Sequence, residues 1–180
     1  MNTTFQSDLH TGKIAENAVM RLYNRCGLKT TPVNVFSGNR DFWDLESQAP
    51  RLWMLPNNLL TTEVKFDVYA KKSGNLAIEI ANTNYQESRP SGITKTKATL
   101  WAHIIDDTIW LCRTSYLHDF VKFVSPKREI KNAGDGNAHI YLYDVKELLR
   151  AIFRRVDDKS PDKAREIIEK LCVKSKSNWS

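Results

Sequence analysis

Cysteine is scarce in this chain, and its three copies, Cys26, Cys112 and Cys172, are odd in number and widely separated. None forms a Cys-x-x-Cys pair, so neither a disulfide framework nor a zinc site of the usual spacing is indicated. A reducing cytoplasm is the simplest setting for such thiols. Long apolar runs are missing too, and no segment approaches the ~20 residues that a membrane span needs. The stretch Met1 to His10 is polar and lacks the apolar centre of a secretion signal. The histidines at 10, 103, 118 and 139 share no spacing that recruits zinc or builds a catalytic dyad. Neither an internal repeat nor a long low-complexity segment is present. What remains is 180 residues, 41% hydrophobic and 27% charged, enough for one well-buried core in one soluble domain.

The formal net charge is +6 and the sequence pI is about 9.2. A basic balance suits a polyanionic partner, because lysine and arginine displace counterions from phosphates. Solvated lysine faces produce the same number, so charge alone does not decide the matter.

Hydrophobic periodicity predicts the element order. Ile14, Ala18, Val19, Leu22 and Cys26 recur at helical steps over Gly12 to Cys26, and Gly27 supplies a stop. Strands are expected over Thr30 to Phe36, Asp41 to Leu45, Arg51 to Leu55, Leu59 to Phe66 and Leu76 to Ala81, separated by turns such as Ser37-Gly38-Asn39. A helix is expected over Thr94 to Ile105, a strand over Thr108 to Cys112 and a short helix over Ser115 to Phe123. Lys127 to Asn137 reads as an exposed hairpin or loop, with Gly134-Asp135-Gly136 as a turn, ahead of a strand His139 to Leu142. Helices follow over Val145 to Val156 and Pro161 to Val173, with Ser160 as N-cap of the second. This order predicts an α/β or α+β domain with a mixed central sheet flanked by helices. Trp43, Trp53, Trp101 and Trp110 lie in apolar periodic segments and are expected in the core.

The stretch Thr61-Thr62-Glu63-Val64-Lys65-Phe66-Asp67 carries the most chemistry. Alternation on a strand puts Glu63, Lys65 and Asp67 on one face and turns Val64 and Phe66 to the other. A carboxylate can hold a hard cation such as Mg²⁺, and a lysine two residues on can orient a water or stabilise developing oxyanion charge. A second acid has to come from elsewhere in the sheet. Asp44, set between Trp43 and Leu45, is favoured because a carboxylate in apolar surroundings needs a partner; Asp41 competes for the role. The bland alternative is a surface ion pair on an amphipathic strand.

Together these residues resemble the PD-(D/E)xK nuclease superfamily, whose pattern is an acidic residue in a helix, an Asp-bearing strand, a Glu-x-Lys strand, then a helix and a strand. The matching positions are Glu16, Asp44, Glu63 and Lys65, and the likeness covers roughly residues 12 to 113. The opening helix is similar to that of phage and archaeal Holliday-junction resolvases, and the runs Gly74 to Glu79, Pro90 to Ile93 and Thr96 to Ala98 are similar to small phage-borne members. The resemblance implies a restriction-endonuclease-like core with extra C-terminal helices. It also implies an Mg²⁺-dependent endonuclease, with Mn²⁺ as a possible substitute, acting on branched or duplex DNA in recombination. A homodimer in the cytoplasm, the host's if the chain is phage-encoded, goes with that reading. Asp44 and Glu63 would ligate the metal with the Val64 carbonyl, Lys65 would position the water, and Glu16 would support the site. The chain departs from the pattern in lacking a proline before Asp44 and in inserting a strand, Leu76 to Ala81. That insertion opens a second register with Asp67 and Glu79 as the acids, but Ala81 then stands where the lysine belongs. Glu79 and Asp67 are kept as further metal candidates.

Two other segments bear on DNA. Ser91, Gly92, Thr94, Lys95 and Lys97 are expected to open a helix whose free amides, hydroxyls and lysines suit a phosphate. A plain N-cap with solvated lysines fits the same residues. The C-terminal helices carry Arg150, Arg154, Arg155, Lys159, Lys163, Arg165 and Lys170, then Lys174 and Lys176, which suit DNA backbone, a dimer surface or solvent. The alternatives to a junction-selective nuclease are a restriction or repair enzyme on duplex DNA, and a non-catalytic nucleic-acid-binding module on the same scaffold.

Overall fold

The computed structural model describes residues 3–34, 38–84, 87–133 and 137–173, with backbone alone described for 3–9, 40, 41 and 84. Helix α1 (Thr3–Arg25) starts well before Gly12. Its buried stripe, Ala15, Val19, Leu22, Tyr23 and Cys26, keeps the helical spacing that the sequence predicts. Gly27 ends it with φ of 79°, a conformation that favours glycine. Leu28 N then bonds to Tyr23 O and Gly27 N to Asn24 O, each at 3.0 Å, which satisfies carbonyls of the last turn. Arg165 Nη1 donates to Cys26 O from the far end of the chain.

Strands β1 (Lys29–Pro32), β2 (Leu45–Gln48) and β3 (Leu59–Phe66) form an antiparallel meander. Next come a one-turn helix α2 (Ala70–Ser73), β4 (Asn75–Asn84) and β5 (Glu87–Pro90). Strand β6 (Leu100–Ile105) then lies parallel to β3, and β7 (Thr108–Arg113) turns back along it. The chain continues through α3 (Thr114–Phe123), β8 (Arg128–Ala133), β9 (Ala138–Asp144), α4 (Val145–Ile152), β10 (Arg154–Val156) and α5 (Pro161–Cys172). Two sheets result, in orders β1-β2-β3-β6-β7-β10 and β5-β4-β9-β8. The fold is mixed α+β, with a mixed central sheet flanked by helices. Among the described residues no helix is long and apolar enough to cross a membrane.

Two cores sit on opposite faces of the six-stranded sheet. One joins Val19, Leu22 and Tyr23 of α1 and Ile168 of α5 to Leu60, Val64, Ala102 and Leu111. The other joins Trp101 and Cys112 to Leu76 and Ile78 of the second sheet, Leu117 of α3 and Leu148 of α4. Strand β6 feeds both, and all six of its residues are buried. This burial explains why the helix expected over Thr94 to Ile105 is absent. A continuous apolar run reads equally as a buried helix or a buried strand, and pairing with β3 and β7 decides for the strand.

Other boundaries shift for similar reasons. Asp41 to Leu45 is not a strand: a 3₁₀ turn over Gly38–Asp41 precedes β2. Arg51–Trp53 is another 3₁₀ turn, which carries Trp53 into the first core. The helix expected to reach Val156 stops at Ile152, because Phe153 fills the second core and Val156 the first. Two successive apolar residues on opposite sides of the sheet require extended backbone, not helix. Ser160 occupies the N-cap position of α5 without a side-chain cap bond. Residues 35–37 and 134–136, the ends of two expected turns and strands, lie outside the described residues, as do Lys174, Lys176 and Trp179.

One polar contact ties α1 to the site strand: Tyr23 Oη lies 3.2 Å from Thr62 Oγ1, and both residues are fully buried. Tyr23→Phe deletes that bond and should lower unfolding free energy by about 1 kcal/mol, read as a lower urea midpoint at unchanged m-value.

Candidate active site

Strand β3 is two-faced. Leu60 and Val64 point to α1, and Thr62 meets Tyr23 there, so Glu63 and Lys65 project to the other side. Their cross-strand neighbours on β6 are Trp101 and His103. Lys65 Nζ lies 2.7 Å from Glu63 Oε1 and 5.9 Å from the centre of the Trp101 ring. The Glu63 side chain is 11% exposed and that of Lys65 is 37% exposed, so the pair is largely shielded rather than on an open face. The surface-ion-pair alternative predicts a solvated glutamate, and this one is buried.

Asp44 joins them from the bend just before β2, whose ladder with β3 begins at Leu45 and Thr62. Its amide donates to Thr62 O at 3.0 Å, and its Oδ2 accepts from Val64 N at 2.8 Å. Thr62 O and Val64 N therefore both face the Asp44 side of β3. A residue's N–H and C=O share a side in a strand, so the Val64 carbonyl points that way too. Thr96 closes the site from above: its Oγ1 donates to Phe42 O at 2.7 Å and stands 3.5 Å from Glu63 Oε2. The side chain of Asp41, the rival to Asp44, lies outside the described residues.

The electrostatics follow from burial and crowding. Burial pushes the Glu63 carboxyl up, Lys65 pulls it back, and Asp44 repels it; the net result is a raised pKa. For Lys65 burial favours the neutral amine, but Glu63, Asp44 and Glu79 outweigh it and hold its pKa above the ordinary value. Three carboxylates thus act on one ammonium, an arrangement that leaves net negative charge in a half-buried cleft. Asp44, Glu63 and the Val64 carbonyl are hard oxygen donors, the kind Mg²⁺ takes, and a cation would relieve the repulsion that raises Glu63. Among the described residues no three His, Cys, Asp or Glu side chains form a ready metal cage. Mg²⁺ commonly binds through one or two carboxylates and keeps several waters, so the donor set fits.

Glu79 arrives from the second sheet. Its Oε1 accepts from Ser91 Oγ, and Gly92, with φ of 52°, packs so closely that a Cβ there would fall 2.3 Å from Glu79 O. Asp67 has a different role from the one expected. Its Oδ1 accepts from Tyr69 N and Ala70 N and its Oδ2 from Ala77 N, so it caps α2 and holds β4. Glu16 lies on α1, which packs on the opposite face of the sheet from Glu63 and Lys65. The charges acting most strongly on that pair are each other, Asp44 and Glu79, and Glu16 is not among them.

The expected phosphate cradle at Ser91 to Lys97 is corrected by the structure. Gly92–Thr94 is a single 3₁₀ turn, not the start of a helix. The amides of Thr94, Lys95 and Thr96 bond to Ser91 O and Gly92 O, and those of Ser91 and Lys97 to Ile80 O and Phe42 O. With five of the segment's amides in use, Lys95 and Lys97 are its groups of the right charge for a phosphate. Lys97 Nζ stands 3.9 Å over the Phe42 ring, beside the loop that leads to Asp44.

His103, set aside on spacing, proves to be the site's buried neighbour. Its Nδ1 accepts from Trp101 Nε1 at 3.3 Å, and its Nε2, 3.9 Å from Asp67 Oδ2, has no hydrogen-bond partner. Alternation on β6 could have placed it opposite Lys65, had that segment been read as a strand. No family model matches this chain, and neither a curated protein nor a solved structure matches it.

Burial lowers the His103 pKa from 6.5 to about 4; Asp67 opposes that shift and Lys65 adds to it. A depressed pKa contributes stability that is complete above the unfolded value and lost as pH falls through the folded one. Stability should therefore decline from pH 6.5 toward 4, by on the order of 3 kcal/mol in full. Glu63, with its raised pKa, works in the opposite direction. His103→Asn keeps an acceptor for Trp101 and should flatten the acid decline in urea melts taken across that range; an unchanged slope would assign it to other groups.

Proposed function

We propose that this chain is a divalent-metal-dependent DNA endonuclease with a restriction-endonuclease-like core of the PD-(D/E)xK type. The observation that carries the reading is the meeting of three groups: Asp44 is hydrogen-bonded to Val64 N, between Glu63 and Lys65, and its charge acts on both of them. The opening helix, the antiparallel strands around Glu63 and the later parallel strand β6 fit that core, although β4 and β5 stand where the pattern has a helix between the Glu-x-Lys strand and the next. The net charge of +6 and the lysines 95 and 97 beside the cleft support a DNA partner.

Asp44 and Glu63 would hold Mg²⁺ or Mn²⁺ together with the Val64 carbonyl. The bound cation supplies a water of lowered pKa and offsets charge on the attacked phosphate. Lys65, kept protonated by three carboxylates, donates a hydrogen bond to the attacking water or the phosphate oxygen and is placed by Glu63 and the Trp101 ring. Asp44 also fixes the Val64 peptide through its second role as acceptor, so both metal-facing groups of the two strands move as one unit. Thr96 limits the rotamers of Glu63. Structure-selective cutting of branched DNA, as in junction resolution, fits a homodimer, because paired cuts in a two-fold substrate need two sites.

The direct test is incubation of labelled four-way junction, linear duplex and single strand with Mg²⁺, Mn²⁺ or EDTA. Cleavage that requires the metal supports the reading, and paired symmetric cuts in the junction alone select the resolvase form. Tight binding without cleavage under any metal would replace it with the binding-module alternative. Lys65→Ala should lower the cleavage rate roughly 10²- to 10³-fold, as loss of one charge-stabilising donor does, while leaving DNA affinity within a few-fold.

A further inference from the structure

Beyond Lys65 the chain makes a turn that is held more firmly than its size requires. Asp67, its side chain 10% exposed, accepts from Tyr69 N at 2.9 Å, Ala70 N at 2.8 Å and Ala77 N at 3.2 Å. His103 stands behind it on β6. The turn is therefore pinned to both sheets at once. Tyr69 O accepts from Ser73 N at 2.8 Å, and Gly74 closes the one-turn helix in the left-handed conformation. On this rigid mount the two outward residues are apolar: Val68 is 56% exposed and Tyr69 is 72% exposed. Lys71 and Lys72 follow, both exposed, with Lys71 paired to Asp106.

Neither the turn nor the cores need an aromatic there. Asp67 bonds only backbone amides, those of residues 69, 70 and 77, and any small polar residue would serve at position 69. An exposed aromatic on a backbone held this firmly, with two lysines next in sequence, matches a nucleobase and its phosphate. Position matters as well. Tyr69 is four residues past Lys65, so the chain separates their Cα atoms by at most ~14 Å. At ~3.4 Å rise per nucleotide, that lies within about four steps of a phosphate at Lys65. In continuous duplex every base face is already covered by its neighbours, and only an unpaired base has one to offer.

We propose that Tyr69, backed by Val68, is a stacking platform for an unpaired nucleobase close to the scissile phosphate, with Lys72 beside the adjoining backbone. This rests on the nuclease reading for its scissile phosphate, and it names the substrate class: DNA with unpaired bases, as at flaps, frays and opened branch points. Asp67 and His103 are positioning residues for the platform rather than members of the metal site.

Binding is measured by fluorescence anisotropy in Ca²⁺, on a flapped duplex with unpaired nucleotides and on a blunt duplex of equal length. The flap carries 2-aminopurine at successive unpaired positions. Tyr69→Ala should weaken flap binding roughly 5- to 100-fold and leave blunt-duplex binding within about twofold. Wild type and Tyr69→Phe should quench 2-aminopurine at one position, and Tyr69→Ala should not. Circular dichroism verifies that each variant is folded. Equal flap affinity for wild type and Tyr69→Ala overturns the platform, as does equal loss on both DNAs. Loss of self-association in ultracentrifugation, with DNA binding intact, would make the patch a subunit contact and also overturn it. Wild-type cleavage with a Tyr69-independent flap affinity sinks the platform alone. Tyr69-dependent stacking without cleavage in Mg²⁺ or Mn²⁺ keeps the platform and sinks the nuclease reading.

Discussion

The parallel pairing of β3 with β6 is the constraint on which the rest of the molecule depends. Two parallel neighbours cannot be joined by a tight turn, so a long crossover must leave the sheet and return. Here the crossover is built largely of strand: β4 pairs with β5 on one side and with β9 on the other to make a second sheet. That detour brings Glu79, Ser91 and Thr96 over the face of β3 that bears Glu63 and Lys65. It also buries the other side of β6, which is why a polar pair can sit half-desolvated between two apolar cores.

Burial and charge are balanced at that spot rather than minimised. A buried carboxylate beside two others is unfavourable in isolation, and one lysine does not neutralise the three. Each member is held by backbone or by a neighbour on another element: Asp44 by Val64 N, Glu63 by Lys65, Glu79 by Ser91. The energy needed to hold these groups in place comes from the apolar layers on either side, where Leu60, Leu100, Leu111, Ile78 and Leu117 are fully enclosed.

The same logic separates the acidic residues by task. Asp67 shares the strand face of Glu63 and Lys65 in the simple alternation, yet β3 ends one residue before it. Past the end of a strand a carboxylate is free to cap the next helix, and Asp67 does so. Glu79, a further metal candidate from the sequence, acts on Lys65 because the second sheet crosses there. Glu16 keeps its place on α1, and α1 covers the opposite face.

The sequence by itself determined the helical stripe of α1, the two-faced character of Leu59 to Phe66, the capping glycine at 27 and the pairing of Glu63 with Lys65. Each of these depends on neighbours no more than four residues away, where periodicity and turn chemistry act directly. Only the tertiary structure decided that Leu100 to Ile105 is a strand, that the helix after Asp144 stops at Ile152, and that five of the amides of Ser91 to Lys97 are already bonded. Those outcomes hinge on which face of a distant strand is left uncovered, and local pattern carries no record of that. The assembly of Asp44 with Glu63 falls between the two. Its residues were legible, but they meet only because β2 pairs with β3 and brings Asp44 to Val64 N, which the chain settles only when both cores close.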